Sequence, residues 1–320
     1  MPLPRTVYFR LIENKERGVS SMNPDYPLIL FVFLSRIAMG LGIVMGTFQL
    51  VYSEAPLLTF NVLLAFGLMM GATVFSITHL SAKSRFMAMA RNLHSHISWE
   101  ILLAGAYMVI LFLYLIYIHV ISLSTTGPIW LPDIFINLLS SSIVTYVLPI
   151  VMVCFAFSAL ISQGFAYRFP SHPAWKSPLL SLFYLFSAPT LGLFIVWTET
   201  LFFWPEGVYF SWWIFPISIA LFLGVQGVII YWYFIDTMKV LRMGKEKTFK
   251  GELRGLFLLY PIFYLFIPLG ATFLLLFPER SSLFMPIIGL LSILTGTFLE
   301  RILFFHLEEP IYFFNLSKVG

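Results

Sequence analysis

Charge is what this 320-residue chain has least of: Asp, Glu, Lys and Arg make up 11% of it, against about 25% in a soluble domain. So few charges cannot cover a water-exposed surface, which argues against a soluble enzyme, a nucleic-acid binder or a secreted scaffold. Cysteine is almost absent. Cys154 is the single one and sits within an apolar run, which excludes internal disulfides, a thiolate zinc site and iron–sulfur ligation by this chain. The six histidines all fall outside the middle of the apolar runs, so the facing imidazoles of a b-type haem are not expected. No glycine-rich phosphate loop and no Ser-His-Asp arrangement is readable. Any electron chemistry would have to use a bound small molecule or a partner subunit.

What fills the chain is apolar. The hydrophobic fraction is 59% and the mean hydropathy +0.91. A membrane-spanning helix needs about 20 mostly apolar residues, and eight stretches qualify: 27–51, 57–78, 99–121, 134–161, 178–201, 209–234, 256–277 and 283–305. The expected fold is an all-α bundle of eight transmembrane helices. A polar tail (1–26) precedes this domain (27–305), and a short tail (306–320) follows it. The first tail carries Arg5, Arg10, Lys15 and Arg17 without a small-residue cleavage site, and reads as a cytoplasmic tail rather than a signal peptide. Pro149, Pro189, Pro216, Pro261, Pro268 and the stretch Gly67–Gly71 read as kinks and close helix packing.

Basic residues give the orientation. Of the 19 Lys and Arg, 17 fall in the two tails and the loops 79–98, 162–177 and 235–255, or at the inner end of the last span. The alternate loops hold only Arg280, and Arg36 lies inside the first span. This is a strong positive-inside pattern, predicting both termini in the cytoplasm and an inner-membrane location. The basic loop 235–255 reads as a topology signal in contact with anionic lipid, or as a docking surface for an acidic partner.

Ionisable groups within spans or at their ends are costly, and each is a functional candidate: Arg36, His79, Glu100, Glu199, Asp236, Glu300, Arg301 and His306. Threading the spans puts all but Glu199 toward the cytoplasmic side, with Arg36 roughly 13 Å along the first helix. Glu100 and His79 stand out, because they begin and end consecutive spans at one depth. A carboxylate and an imidazole there suit acceptance of the two protons of an oxidising quinol, and equally suit a structural clamp between helix ends. Arg36 and Arg301 are expected to pair with Glu100 and Glu300.

The stretch His79-Leu80-Ser81-Ala82-Lys83-Ser84-Arg85, then Asn92-Leu93 and Ser98-Trp99-Glu100-Ile101-Leu102, resembles the anchor subunits of dimethyl sulfoxide reductases, within the polysulfide reductase superfamily of membrane subunits. Tyr167-Arg168-Phe169-Pro170 with Pro173-Ala174-Trp175, and the ending Glu300-Arg301-Ile302-Leu303-Phe304-Phe305, are similar to the same family. The resemblance implies a subunit that binds menaquinol or a similar quinol and passes electrons to a four-cluster iron–sulfur subunit, which serves a molybdopterin catalytic subunit on the cytoplasmic side. It carries His79, Arg85, Trp99 and Glu100 into the quinol site, with Arg36 and Arg301 nearby and Glu100 as proton acceptor. A second reading is an ion-coupled secondary transporter. Its midplane site and repeated halves find no clear counterpart in the sequence. A third is a passive anchor without quinol chemistry.

Overall fold

In the absence of water, a chain crossing a bilayer must satisfy its backbone internally, and a helix does this within one segment. The apolar runs accordingly fold as helices. The computed structural model describes residues 26–51, 58–79, 96–126, 142–166, 179–203, 214–243, 252–275 and 284–306, all of them helical. These are α1 (Tyr26–Val51), α2 (Leu58–His79), α3 (His96–Thr126), α4 (Ser142–Ala166), α5 (Leu179–Phe203), α6 (Ile214–Met243), α7 (Glu252–Pro261), α8 (Ile267–Leu275) and α9 (Phe284–His306), with a π-helical turn, Ile262–Phe266, joining α7 to α8. Residues 1–25, 80–95 (Arg85 among them), 167–178, 244–251 and 307–320 lie outside the described residues, whereas the two ends of the 235–255 stretch are helical, in α6 and α7.

Seven of these helices are long and apolar enough to cross a membrane, so the chain is a multi-pass membrane protein by length and composition. The remaining apolar run, Leu258–Leu274, is shorter and interrupted by the π turn. Some boundaries differ from the sequence reading. α4, described from Ser142, runs on past 161 to Ala166 through Ser162-Gln163-Gly164; residues 134–141 lie outside the described residues. α6 continues past the apolar run to Met243. Hydropathy reports compatibility with lipid, whereas a helix persists through polar residues that it buries or exposes to headgroups.

The bundle is organised around α1 and α5, which are mostly buried, while α2, α3, α4 and α6 each turn a broad apolar face outward. α1 packs against α2, α4, α5 and α9. The crossing of α1 and α5 brings backbone onto backbone. A Cβ on Gly40 would lie 1.9 Å from the Ala188 carbonyl oxygen, and one on Gly192 would lie 2.4 Å from the Gly40 carbonyl oxygen. Such contact between small residues is a principal source of helix association in lipid. The glycines singled out by sequence behave differently: nothing lies within 4 Å of a Cβ at Gly67, and one at Gly71 would meet only Leu34, at 3.6 Å. We therefore expect Gly40→Ala and Gly192→Ala to lower the melting temperature in detergent sharply. Gly67→Ala should hold or raise it, through a helix-propensity gain of about 0.5–1 kcal/mol. Equal tolerance at the three positions would contradict this crossing.

The π turn is anchored by its neighbours. Tyr264 donates its hydroxyl hydrogen to Gln226 Oε1. Gln226 Nε2 in turn donates to Thr190 Oγ1 at 2.6 Å and to the Phe186 carbonyl at 3.2 Å. Ser292 of α9 donates to the Phe263 carbonyl at 2.8 Å. The extra residue of the π turn, flanked by Pro261 and Pro268, thus aims Tyr264 into the bundle and ties α5, α6 and α9 to one point.

Candidate functional site

Two polar centres form in one half of the bundle. The first joins α1, α5 and α9. Arg36 and Arg301 are both fully buried, and both bond to Glu300. Arg36 Nη1 donates to Glu300 Oε2 at 3.1 Å. Arg301 Nε donates to the same oxygen at 2.7 Å, and Arg301 Nη2 donates to Oε1. The remaining Arg301 Nη1 donates to the Tyr184 hydroxyl. The Tyr184 ring also lies beneath both guanidiniums, 4.1 Å from Arg36 and 4.5 Å from Arg301. Desolvated cation–π contacts of this kind contribute about 2 kcal/mol each. Two guanidiniums thus share one carboxylate, and Arg36 Nε and Nη2 have no hydrogen-bond partner among the described residues.

The second centre joins α1, α3 and α4. Glu100, one turn into α3, is buried and faces Gln163 of α4. Gln163 Nε2 donates to Ser35 Oγ at 3.0 Å. Ser35 precedes Arg36 in α1, so the two centres are separated by a single step of the backbone. Glu100 Oε1 has no partner among the described residues, and neither do Gln163 Oε1 nor the hydroxyls of Ser162 and Ser181. Buried polar atoms are nearly always hydrogen-bonded. The facing Glu100 and Gln163, each with an acceptor oxygen left unbonded among the described residues, therefore mark a place suited to a ligand that donates hydrogen bonds. The hydroxyl of a quinol head is one such donor, and Glu100 and Gln163 are the residues that would accept from it.

The expected ion pairs are redistributed. Arg36 bonds to Glu300 rather than Glu100, because the α1–α9 contact brings Glu300 to the arginine while Glu100 faces α4. The sequence-derived site residues separate similarly. Glu100 points into the bundle, whereas the adjacent Trp99 is 46% exposed on its outer surface, as the roughly 100° between successive helical residues requires. His79 ends α2, but its side chain, like those of Asp236 and His306, lies outside the description, as does Arg85. Toward the opposite end, Glu199 Oε2 accepts a 2.6 Å bond from Asn61 Nδ2.

Sequence reasoning missed Ser35, Gln163 and Tyr184. Gln163 was findable, since an amide within a span is costly for the same reason as a charge. Compared with known proteins, the chain matches no family model and no curated sequence.

Proposed function

We propose that this chain is the quinol-oxidising membrane subunit of a molybdopterin oxidoreductase. In this reading it spans the inner membrane eight times with both termini in the cytoplasm, the α7–α8 run forming the seventh span. One menaquinol, or a similar quinol, gives up two electrons and two protons at the cytoplasmic side. The electrons pass to the nearest cluster of a four-cluster iron–sulfur subunit. That subunit feeds a molybdopterin subunit reducing dimethyl sulfoxide, sulfur or polysulfide. The protons leave through Glu100 to water, with His79 and Arg85 placed at the same site by their resemblance to the anchor family.

The observation that carries this reading is Glu100 Oε1, a buried carboxylate oxygen without a hydrogen-bond partner among the described residues. It lies in the half of the bundle that also holds Arg36, Glu300 and Arg301. A carboxylate left incompletely bonded is available to a hydroxyl hydrogen, which a purely structural clamp would not require. The transporter alternative draws on the π turn between Pro261 and Pro268, since discontinuous helices line many transport sites. Here, however, the turn's Tyr264 and Phe263 carbonyl are bonded to Gln226 and Ser292, so it reads as a packing device.

Purification of the tagged chain from its native membranes, followed by metal analysis, tests the assignment. Molybdenum and iron should co-elute with the chain, and the preparation should reduce dimethyl sulfoxide or sulfur at the expense of an added quinol. A chain that elutes intact and alone, free of both metals, would count against the anchor and favour the transporter.

A further inference from the structure

A cavity of about 150 Å³ lies between α5, α6, α7 and α9, close to the first polar centre. Its walls are almost wholly apolar and include Leu180, Phe183, Tyr260, Leu303 and Phe304, while Glu300 supplies an acidic edge. Leu258, at the α7 wall, is 61% exposed on the outside of the bundle, so the cavity communicates with the lipid side. An apolar cavity of about this volume is large enough to take up a single aromatic ring.

The chemistry of Glu300 narrows the occupant. An ionised carboxylate offers about four acceptor positions. Three are taken: Oε2 accepts from Arg36 and Arg301, and Oε1 accepts from Arg301 alone. One acceptor position remains at an edge of an otherwise apolar space. A ligand matched to this site is a flat, lipid-soluble ring that donates one hydroxyl hydrogen. A phospholipid headgroup is larger, and its phosphate would oppose the Glu300 charge at the wall.

We propose that this cavity is a second quinol-binding site, separate from Glu100, in which the ring lies among Phe183, Tyr260 and Phe304 and one hydroxyl donates to Glu300. The proposal rests on the quinol reading of the chain. It also carries a redox preference. The quinol donates to the carboxylate, whereas a quinone would set carbonyl lone pairs against it. One hydrogen bond to a charged acceptor corresponds to roughly tenfold or more in affinity, so the reduced form should bind more tightly by that factor.

The test is photolabelling of the full chain in its native membranes with a diazirine-tagged benzoquinol, with trimethylhydroquinone and trimethylbenzoquinone as competitors. Label is expected on peptides covering 229–233 and 258–261, displaced by trimethylhydroquinone at roughly one-tenth the concentration of trimethylbenzoquinone or less. Ile230→Trp, which fills the cavity from a wall residue outside the ion cluster, should lower labelling there about tenfold. Leu221→Trp, 66% exposed at a different place on α6, should leave it unchanged. Both variants are first matched to wild type in detergent melting. Competed label confined to α3 and α4 would overturn the cavity site while leaving the quinol reading intact. Full labelling in a folded Ile230→Trp, or equal competition by the two redox forms, would also overturn it. No competed label anywhere on the folded chain would remove the quinol reading and the cavity site together.

Discussion

Glu300→Gln is expected to destabilise the folded protein by about 3–5 kcal/mol, the usual cost of removing one partner from a buried ion pair. The substitution keeps the side chain's shape, so packing is not at issue. What it removes is the single carboxylate shared by two buried guanidiniums, Arg36 and Arg301. In lipid the loss cannot be offset by water entering from the side. Arg36→Met should cost clearly less, although it changes the shape more, because it leaves the Glu300–Arg301 pair neutral. The Tyr184 ring would still lie 4.5 Å from Arg301. SDS-induced unfolding from mild detergent, followed by circular dichroism, gives both values. The reverse order of the two variants, or wild-type stability in Glu300→Gln, would show that Glu300 is not the counter-charge holding α1 to α9.

Glu100→Gln should act on turnover instead. The amide preserves size and can keep its contact with Gln163, and no other partner is lost, because Oε1 has none among the described residues. Stability should therefore change little. An amide cannot take up a proton, and loss of a positioned proton acceptor typically slows a reaction by about 10²–10⁴-fold. Quinol-driven reduction of the terminal acceptor should fall by that factor, with reduced-dye activity and subunit assembly preserved. The opposite pattern, a lower melting point with unchanged quinol turnover, would make Glu100 a clamp between α3 and α4.

The helices were legible because apolar length and helical backbone satisfaction point the same way in a membrane. Arg36, Glu100, Glu300 and Arg301 were legible as costly charges within spans. Their pairing was not, because Arg36 and Glu300 lie 264 residues apart and only the packing of α1 on α9 selects between two carboxylates. Tyr184 was hidden among other aromatic residues of an apolar run, and its role under two arginines depends on three helices meeting. Gly40 and Gly192 were equally hidden, since a glycine signals close packing only once its partner is known. The contrast with the uncrowded Gly67 makes that point. Pro261 and Pro268 announced an irregular span, but not that a π turn would aim Tyr264 at Gln226.

The most direct measurement is anaerobic mixing of the purified, oxidised complex with a menaquinol analogue, followed by electron paramagnetic resonance of the iron–sulfur clusters. Wild type should show cluster reduction by quinol alone, and Glu100→Gln should show it about 10²–10⁴-fold more slowly, with dithionite reducing the clusters of both. Clusters in the wild-type complex that dithionite reduces but quinol leaves oxidised would contradict the proposal that this chain delivers electrons from quinol.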